Sequence, residues 1–139
     1  MECIRNASKL NQFMSMFKVN VTVVNPKKEE LVTEPVSALV DTGSELTWLP
    51  AQLLTGIGVT PRRERLFEMA NKQVIKRPIG YGIIRAEGYE TNDEIVFAEP
   101  GDMTLLGVRT LEGFGVAVDN IGKRFLAAPT LVVSARLAK

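Results

Sequence analysis

The chain has 139 residues, of which 45% are hydrophobic and 24% are charged, and this composition fits a single globular domain. Its net charge of +1 gives no electrostatic reason to expect nucleic acid or an anionic membrane as a partner. The absence of histidine excludes Ser–His, Cys–His and His-ligated metal chemistry, and the single cysteine, Cys3, excludes an intrachain disulfide and a thiolate-rich zinc site.

No apolar run approaches the ~20 residues that a membrane-spanning helix needs. The first six residues also lack the basic region and the long apolar stretch of a secretory signal. These features, together with the scarcity of cysteine, predict a cytoplasmic protein without a membrane partner.

The first half of the chain predicts an extension, three strands and a short helix. Residues 1–15 are polar and weakly patterned, so we predict a flexible N-terminal extension there and a folded domain over residues 16–139. Alternation of apolar and polar residues over 17–23 predicts a half-buried strand, and residues 25–28 predict a turn. Residues 31–40 predict a strand interrupted at Pro35. Residues 46–54 predict a strand followed by a short helix that begins at Pro50.

The second half predicts a series of hairpins. The first covers residues 67–76 with its tip at 70–72, and the second joins 79–86 to 90–97 through a turn at 87–89. A short helix is predicted at 108–114, and a third hairpin joins 116–118 to 123–126. Short strands at roughly 8–12-residue spacing predict an all-β domain, built as a small barrel or sandwich.

The stretch from Val36 to Ser44 carries the main chemical signal. A short apolar strand leads directly into Asp41-Thr42-Gly43-Ser44, which places one carboxylate at a strand end inside a tight turn. Asp-Thr-Gly is also ordinary turn chemistry, in which Asp caps its own backbone and Gly takes a positive φ. The motif alone therefore leaves two readings open: a catalytic aspartate and a turn cap.

A catalytic reading requires a second carboxylate. Peptide hydrolysis without a metal, a thiol or a hydroxyl nucleophile needs one group to activate water and another to protonate the leaving nitrogen. Two carboxylates that share one proton can do both. The chain holds a single copy of the motif, so the nearest source of the second carboxylate is Asp41 of a second subunit.

The chain resembles the retroviral-type (retropepsin-like) single-lobe aspartic proteases over about residues 17–126. The residues that carry the resemblance are the apolar run into Asp41-Thr42-Gly43-Ser44 and, some sixty residues later, Leu105-Leu106-Gly107 before a short helix. The resemblance implies a small closed acid-protease-like β-barrel with one lobe per chain. It also implies a homodimeric aspartic endopeptidase that acts on peptide or protein substrates, with no cofactor and no metal, and with Asp41, Thr42 and Gly43 as catalytic residues.

The resemblance further implies a flap, a hairpin that folds over the substrate. Chain order places it at residues 66–78 with its tip at 69–73, where Asn71 would supply the positive φ that family members obtain from glycine. A rival flap is residues 78–82, which contain two glycines and Tyr81. The expected substrate-binding residues are Ser44, Leu39, Trp48, Met69, Ala70, Asn71, Lys72 and Leu105.

Other outcomes remain open from the sequence. A non-catalytic peptide-binding or assembly module on the same fold would use the same groove without cleavage. A monomeric structural domain would use Asp41 only as a turn cap. An ion pair between Glu45 and Arg109 would brace the Asp41 loop against the following helix, although both side chains are equally compatible with an unpaired state.

Overall fold

The computed structural model describes residues 17–129, which hold ten strands and two short helices. The prediction of a mostly β chain is therefore confirmed, while the predicted extension at 1–15 lies outside the described residues. In chain order the elements are β1 (Lys18–Asn25), β2 (Lys28–Val32), β3 (Val36–Val40), β4 (Thr47–Pro50), α1 (Ala51–Gly56), β5 (Arg63–Glu68), β6 (Val74–Ala86), β7 (Tyr89–Ala98), β8 (Leu105–Leu106), α2 (Val108–Phe114), β9 (Val116–Asp119) and β10 (Arg124–Ala127). Among these residues, neither helix has the length and apolarity needed to cross a membrane.

Eight of the strands form one sheet. Their order is β2-β1-β3-β8-β4-β7-β6-β5, and β6 pairs with β1 as well, so that strand pairings run from β1 through β3, β8, β4, β7 and β6 back to β1. Strands β9 and β10 form a separate antiparallel pair. The β5–β6 hairpin extends from this arrangement, because β5 pairs only with the first half of β6.

Strand alternation divides the buried side chains between two clusters. In β4, Leu49 belongs to the larger cluster with Val21, Ile84 and Leu106, whereas its neighbour Trp48 belongs to the smaller one. This division follows from the period of two in a strand, which sends successive side chains to opposite faces. The smaller cluster also receives Phe67, Ile75 and Leu105 at its edge.

The position of the Asp41 loop is set by the short strand β8, which lies between β3 and β4. It is parallel to β3 on one side and antiparallel to β4 on the other, with Leu105 opposite both Leu39 and Trp48. The loop that leads from β3 to β4 must therefore cross the chain at the end of β8. Gly107 lies at this crossing, between β8 and the first residue of α2. A Cβ atom on Gly107 would collide with the carbonyl group of Leu46, so only glycine permits this crossing.

The predicted flap segment forms the hairpin between β5 and β6. At its tip the positive φ belongs to Lys72 (71°), so the expectation for Asn71 is wrong. Asn71 instead accepts a hydrogen bond on its side-chain oxygen from the backbone N–H of Gln73 at 2.9 Å. An Asx-type interaction fixes the turn, and the next residue takes the left-handed conformation.

The rival flap is also wrong. Residues 78–82 lie in the middle of β6, where Ile79 pairs with Arg63 of β5 and with Val96 of β7. A segment paired on both sides cannot form a hairpin tip.

Candidate active site

Asp41 lies immediately after β3 in a turn closed by its own groups. Its backbone N–H donates to the carbonyl of Leu106 at 3.0 Å, and its carbonyl accepts from the N–H of Ser44 at 3.1 Å. Its Oδ1 accepts a hydrogen bond from the N–H of Gly43 at 2.9 Å. The side chain is half-buried, and its Oδ2 has no hydrogen-bond partner among residues 17–129. One carboxylate oxygen is thus fixed by the turn, and the other can contact a ligand or a second chain.

The Asp41 loop rests on the start of α2. The N–H groups of Val108 and Arg109 donate to the carbonyls of Ser44 and Glu45 at 2.8 and 3.0 Å. These amides belong to the first turn of a helix and would otherwise lack partners. The loop therefore satisfies the helix start, and the helix start holds the loop.

A buried chain of hydroxyl groups supports the same junction. Thr47 Oγ1 accepts from the N–H of Gly107 at 2.9 Å, and it lies 2.6 Å from Thr110 Oγ1. Thr110 donates its proton to Asp93 at 2.9 Å. Since Thr110 has only one proton, Thr47 must be the donor in the bond between the two threonines. Both threonines are fully buried, and their direct hydrogen bonds position Gly107.

Thr47→Val is expected to destabilise the protein by about 1–3 kcal/mol, because the buried N–H of Gly107 and the oxygen of Thr110 would lose their partner while the side-chain shape is kept. Thr47→Ser keeps the hydroxyl and is the matched control. Urea unfolding measures both variants. Equal stability of the Val variant and the wild type would contradict a supporting role for the hydroxyl chain.

Asp41 lines a groove of about 480 Å³ between its own loop, the β5–β6 hairpin and the 101–103 loop. Of the sequence-predicted site residues, seven line this groove: Asp41, Gly43, Ser44, Trp48, Met69, Ala70 and Leu105. Four others do not: Thr42 is exposed in the turn, Leu39 is half-buried in β3, and Asn71 and Lys72 are exposed at the hairpin tip.

The groove also contains residues that the sequence analysis did not name individually as site residues, although its predicted flap at 66–78 includes Phe67 and Glu68. These are Glu45, Leu46, Arg65, Phe67, Glu68, Gly101, Asp102 and Met103. Alternation along β5 could have identified Arg65 and Phe67, since side chains two apart lie on one face. No local pattern indicates the 101–103 loop, because the parallel pairing of β3 with β8 brings it to the groove.

An aromatic contact forms one apolar side of the groove. The rings of Trp48 and Phe67 meet edge to face, with centroids 4.9 Å apart. The guanidinium of Arg65 lies 5.7 Å from the Phe67 ring centroid and 3.5 Å from the carboxylate of Glu45. The hairpin strand β5 therefore packs against β4 through the aromatic contact and is joined to the Asp41 loop by the ion pair.

The other hairpin strand is joined to the 101–103 loop. Arg77 donates two hydrogen bonds to Asp102, at 2.7 and 2.9 Å, and the two side chains are only 14% and 13% exposed. Asp102 also accepts from the N–H of Glu99 at 2.8 Å. The bonds from Arg77 hold the pKa of Asp102 below its ordinary value, although burial acts in the opposite direction. The same pairing raises the pKa of Arg77.

The lowered pKa of Asp102 predicts that this ion pair contributes less to stability in acid. Because the folded-state pKa of Asp102 is lowered, its stabilising contribution is present above the ordinary carboxyl pKa of about 4 and is lost as the pH falls through the folded-state value. Asp102→Asn is expected to cost about 1–3 kcal/mol at pH 7 and less at pH 3. Urea unfolding of both proteins at the two pH values measures this. A cost independent of pH would contradict the assignment.

The ion pair between Glu45 and Arg109, which the sequence left open, is not formed, and both side chains pair elsewhere. Arg109 lies 3.7 Å from Asp93 and 3.2 Å from Glu94. Glu94 also accepts from Arg63 at 2.7 Å. Burial acts to raise the pKa of Glu94, but the two arginines outweigh it and the pKa is lowered. Glu94 thereby connects the start of the β5–β6 hairpin to α2.

No protein-family model matches the chain, and no curated protein matches it. Among solved structures, the chain is similar to that of the foamy viral protease-reverse transcriptase dRH in complex with double-stranded DNA. The similarity has a TM-score of 0.44 and a sequence identity of 18%, and it covers 65% of this chain and 14% of that one.

Proposed function

We propose that the chain is an aspartic endopeptidase that acts as a homodimer. The observation that supports this most is the state of Asp41: it is half-buried, one oxygen is held by the N–H of Gly43, and it lines a groove bounded by a hairpin. The strand pairing that returns from β6 to β1 supports the further proposal that this sheet is a closed barrel of the acid-protease type.

The second carboxylate of the dyad comes from a second copy of the chain. Two other acids of the groove, Glu45 and Asp102, are already paired with Arg65 and Arg77. The remaining one, Glu68, is exposed on β5. A twofold axis at the Asp41 loops would place two copies of Asp41 together without any further sequence requirement.

In this mechanism a water molecule lies between the two carboxylates. The water oxygen attacks the scissile carbonyl carbon while the ionised Asp41 accepts a proton from that water. The protonated Asp41 of the other subunit donates its proton to the carbonyl oxygen. Collapse of the tetrahedral intermediate breaks the C–N bond, and the leaving nitrogen receives a proton from the dyad. The fixed contact with Gly43 keeps one oxygen of Asp41 oriented throughout.

The groove walls predict the substrate class. Trp48, Phe67, Leu105 and the exposed Met69 and Met103 give the groove apolar surfaces. We propose that it takes an extended peptide with apolar side chains next to the scissile bond, bound by backbone hydrogen bonds as an added strand. The β5–β6 hairpin acts as the flap.

The test is incubation of the purified chain with a library of unstructured peptides, followed by mass spectrometry, together with binding of a statine-type peptide. An active dyad should cleave next to apolar residues and hold the statine analogue at least about 100-fold more tightly than the matched peptide. Peptide binding without cleavage, and with no preference for the analogue, would instead identify the non-catalytic binding module.

A further inference from the structure

A second cavity, of about 500 Å³, lies away from the Asp41 groove and shares no residue with it. It is formed by the β1–β2 turn, the segment between α1 and β5, and exposed positions of β6 and β7. Its lining residues used below are Asn25, Lys27, Thr60, Arg62, Tyr81 and Asn92. We call it the Arg62 cavity.

The wall of the Arg62 cavity is fixed by Asn25, which is 7% exposed. Its side-chain nitrogen donates to the carbonyl of Ile57 at 2.8 Å, and its oxygen accepts from the backbone N–H of Lys27 at 2.8 Å. Gly58 lies beside the same amide with φ 82°, where a Cβ atom would come within 3.2 Å of the Asn25 side-chain nitrogen, so the position favours glycine. The turn and the 57–60 segment are thus held together before any ligand binds.

Arg62 differs from every other arginine in residues 17–129. The six others, Arg63, Arg65, Arg77, Arg85, Arg109 and Arg124, each lie within ion-pair distance of a carboxylate, and Arg62 does not. Glu94, which lies opposite Tyr81 in the strand register, is already bound by Arg63 and Arg109. The guanidinium of Arg62 instead lies 5.7 Å from the centroid of the Tyr81 ring, which orients it over an aromatic face.

The remaining polar side chains of the cavity can all donate hydrogen bonds. Lys27 contributes a second cation without a carboxylate partner, and no acidic residue lines the cavity. Within the described part of the chain, the side chains of Thr60, Tyr81 and Asn92 also make no hydrogen bond. Two cations and several unused donors around one cavity form a complement to negatively charged oxygen atoms.

We propose that the Arg62 cavity binds a small organic oxyanion, carrying a phosphate or carboxylate group, with Arg62 and Lys27 as the charged contacts. The volume lies in the range of ligand-sized pockets. Arg62 directly precedes β5 and Tyr81 lies in β6, so a bound anion would join the β1–β2 turn to the strands from which the β5–β6 hairpin extends. This site is independent of the chemistry at Asp41.

The test uses inorganic phosphate, glucose 6-phosphate and citrate as three separate ligands, titrated by calorimetry at constant ionic strength against a sodium chloride control. At least one should bind saturably, and Arg62→Ala should weaken that binding by at least about tenfold, as expected for loss of a charge-assisted contact. Arg85→Ala is the matched control, because it removes the same charge from a paired, exposed arginine of β6. Binding of phosphate or glucose 6-phosphate without citrate would identify a phosphate site, and binding of citrate alone would identify a carboxylate site.

The proposal is overturned if none of the three binds above the chloride control, or if Arg62→Ala and Arg85→Ala weaken binding equally. Should the Arg62 variant fail to fold, the site is tested instead by NMR of the wild-type protein during titration with the same ligands. Shifts of the Asn92 side-chain amide and the Tyr81 backbone on titration support the site, and shifts confined to other residues contradict it. Because the readout is binding, its failure would leave the proteolytic function of the Asp41 groove untouched.

Discussion

Asp41→Asn is expected to lower the rate of peptide hydrolysis by about 10²–10⁴-fold, the range typical of losing a general acid–base group. Asparagine cannot accept the proton of the attacking water or share a proton with its partner. Its side-chain oxygen can still accept the hydrogen bond from Gly43, so the turn should persist. The measurement is single-turnover cleavage of a peptide found with the wild type, combined with urea unfolding to show that stability is retained.

Glu68→Gln is the discriminating companion variant, because Glu68 is, besides Asp41, the carboxylate of the groove that has no arginine partner among the described residues. If two copies of Asp41 form the dyad, this variant should lose less than about tenfold in rate, since Glu68 only borders the groove. A loss as large as that of Asp41→Asn would indicate an acid pair within one chain. Full activity of Asp41→Asn would contradict the proposed mechanism outright.

Gly107→Ala is expected to destabilise the fold by about 2–4 kcal/mol, the upper range for overpacking of a buried site. The added methyl group would meet the carbonyl of Leu46 in the loop that carries Asp41 towards β4. The backbone of Gly107, with φ −92° and ψ 174°, is open to alanine, so the cost comes from the steric contact alone. Displacement of the loop should also reduce any hydrolytic activity.

Gly56→Ala provides the control for this prediction. Gly56 is the last residue of α1, and a Cβ atom there would meet nothing within 4 Å. The substitution should be neutral or stabilising by up to about 1 kcal/mol, since alanine restricts the unfolded chain. Chemical unfolding of the two variants side by side gives the comparison. Equal effects at positions 56 and 107 would show that the crossing past β8 is not sterically constrained.

Most of the secondary structure was predictable because the signals are local. The alternation in β1, the turn at Glu87 and Gly88, and Pro50 before α1 each act within a few residues. The rival flap at residues 78–82 was suggested by its two glycines, but glycine occurs in strands as well as in turns. Gly80 and Gly82 do not make a turn: a Cβ atom at either position would come within 2.9 Å of a side chain packed across the sheet.

The candidate site was only partly predictable, for a similar reason. The Asp41 loop and Leu105 carry recognisable motifs, but the pairing of Arg77 with Asp102 joins residues 25 positions apart. The chain of Thr47, Thr110 and Asp93 likewise depends on the placement of β4, β7 and α2 around one point. Such contacts follow from strand order, which propensity and periodicity do not specify.

The most direct test of a dyad shared between two chains is a subunit-mixing experiment. Wild-type protein is combined with increasing amounts of Asp41→Asn protein, allowed to exchange subunits, and assayed for peptide cleavage. With random pairing at equal amounts, only about a quarter of the dimers carry two aspartates, so activity per wild-type chain should fall to about half. Activity that stays proportional to the amount of wild-type chain at every ratio would contradict a shared dyad.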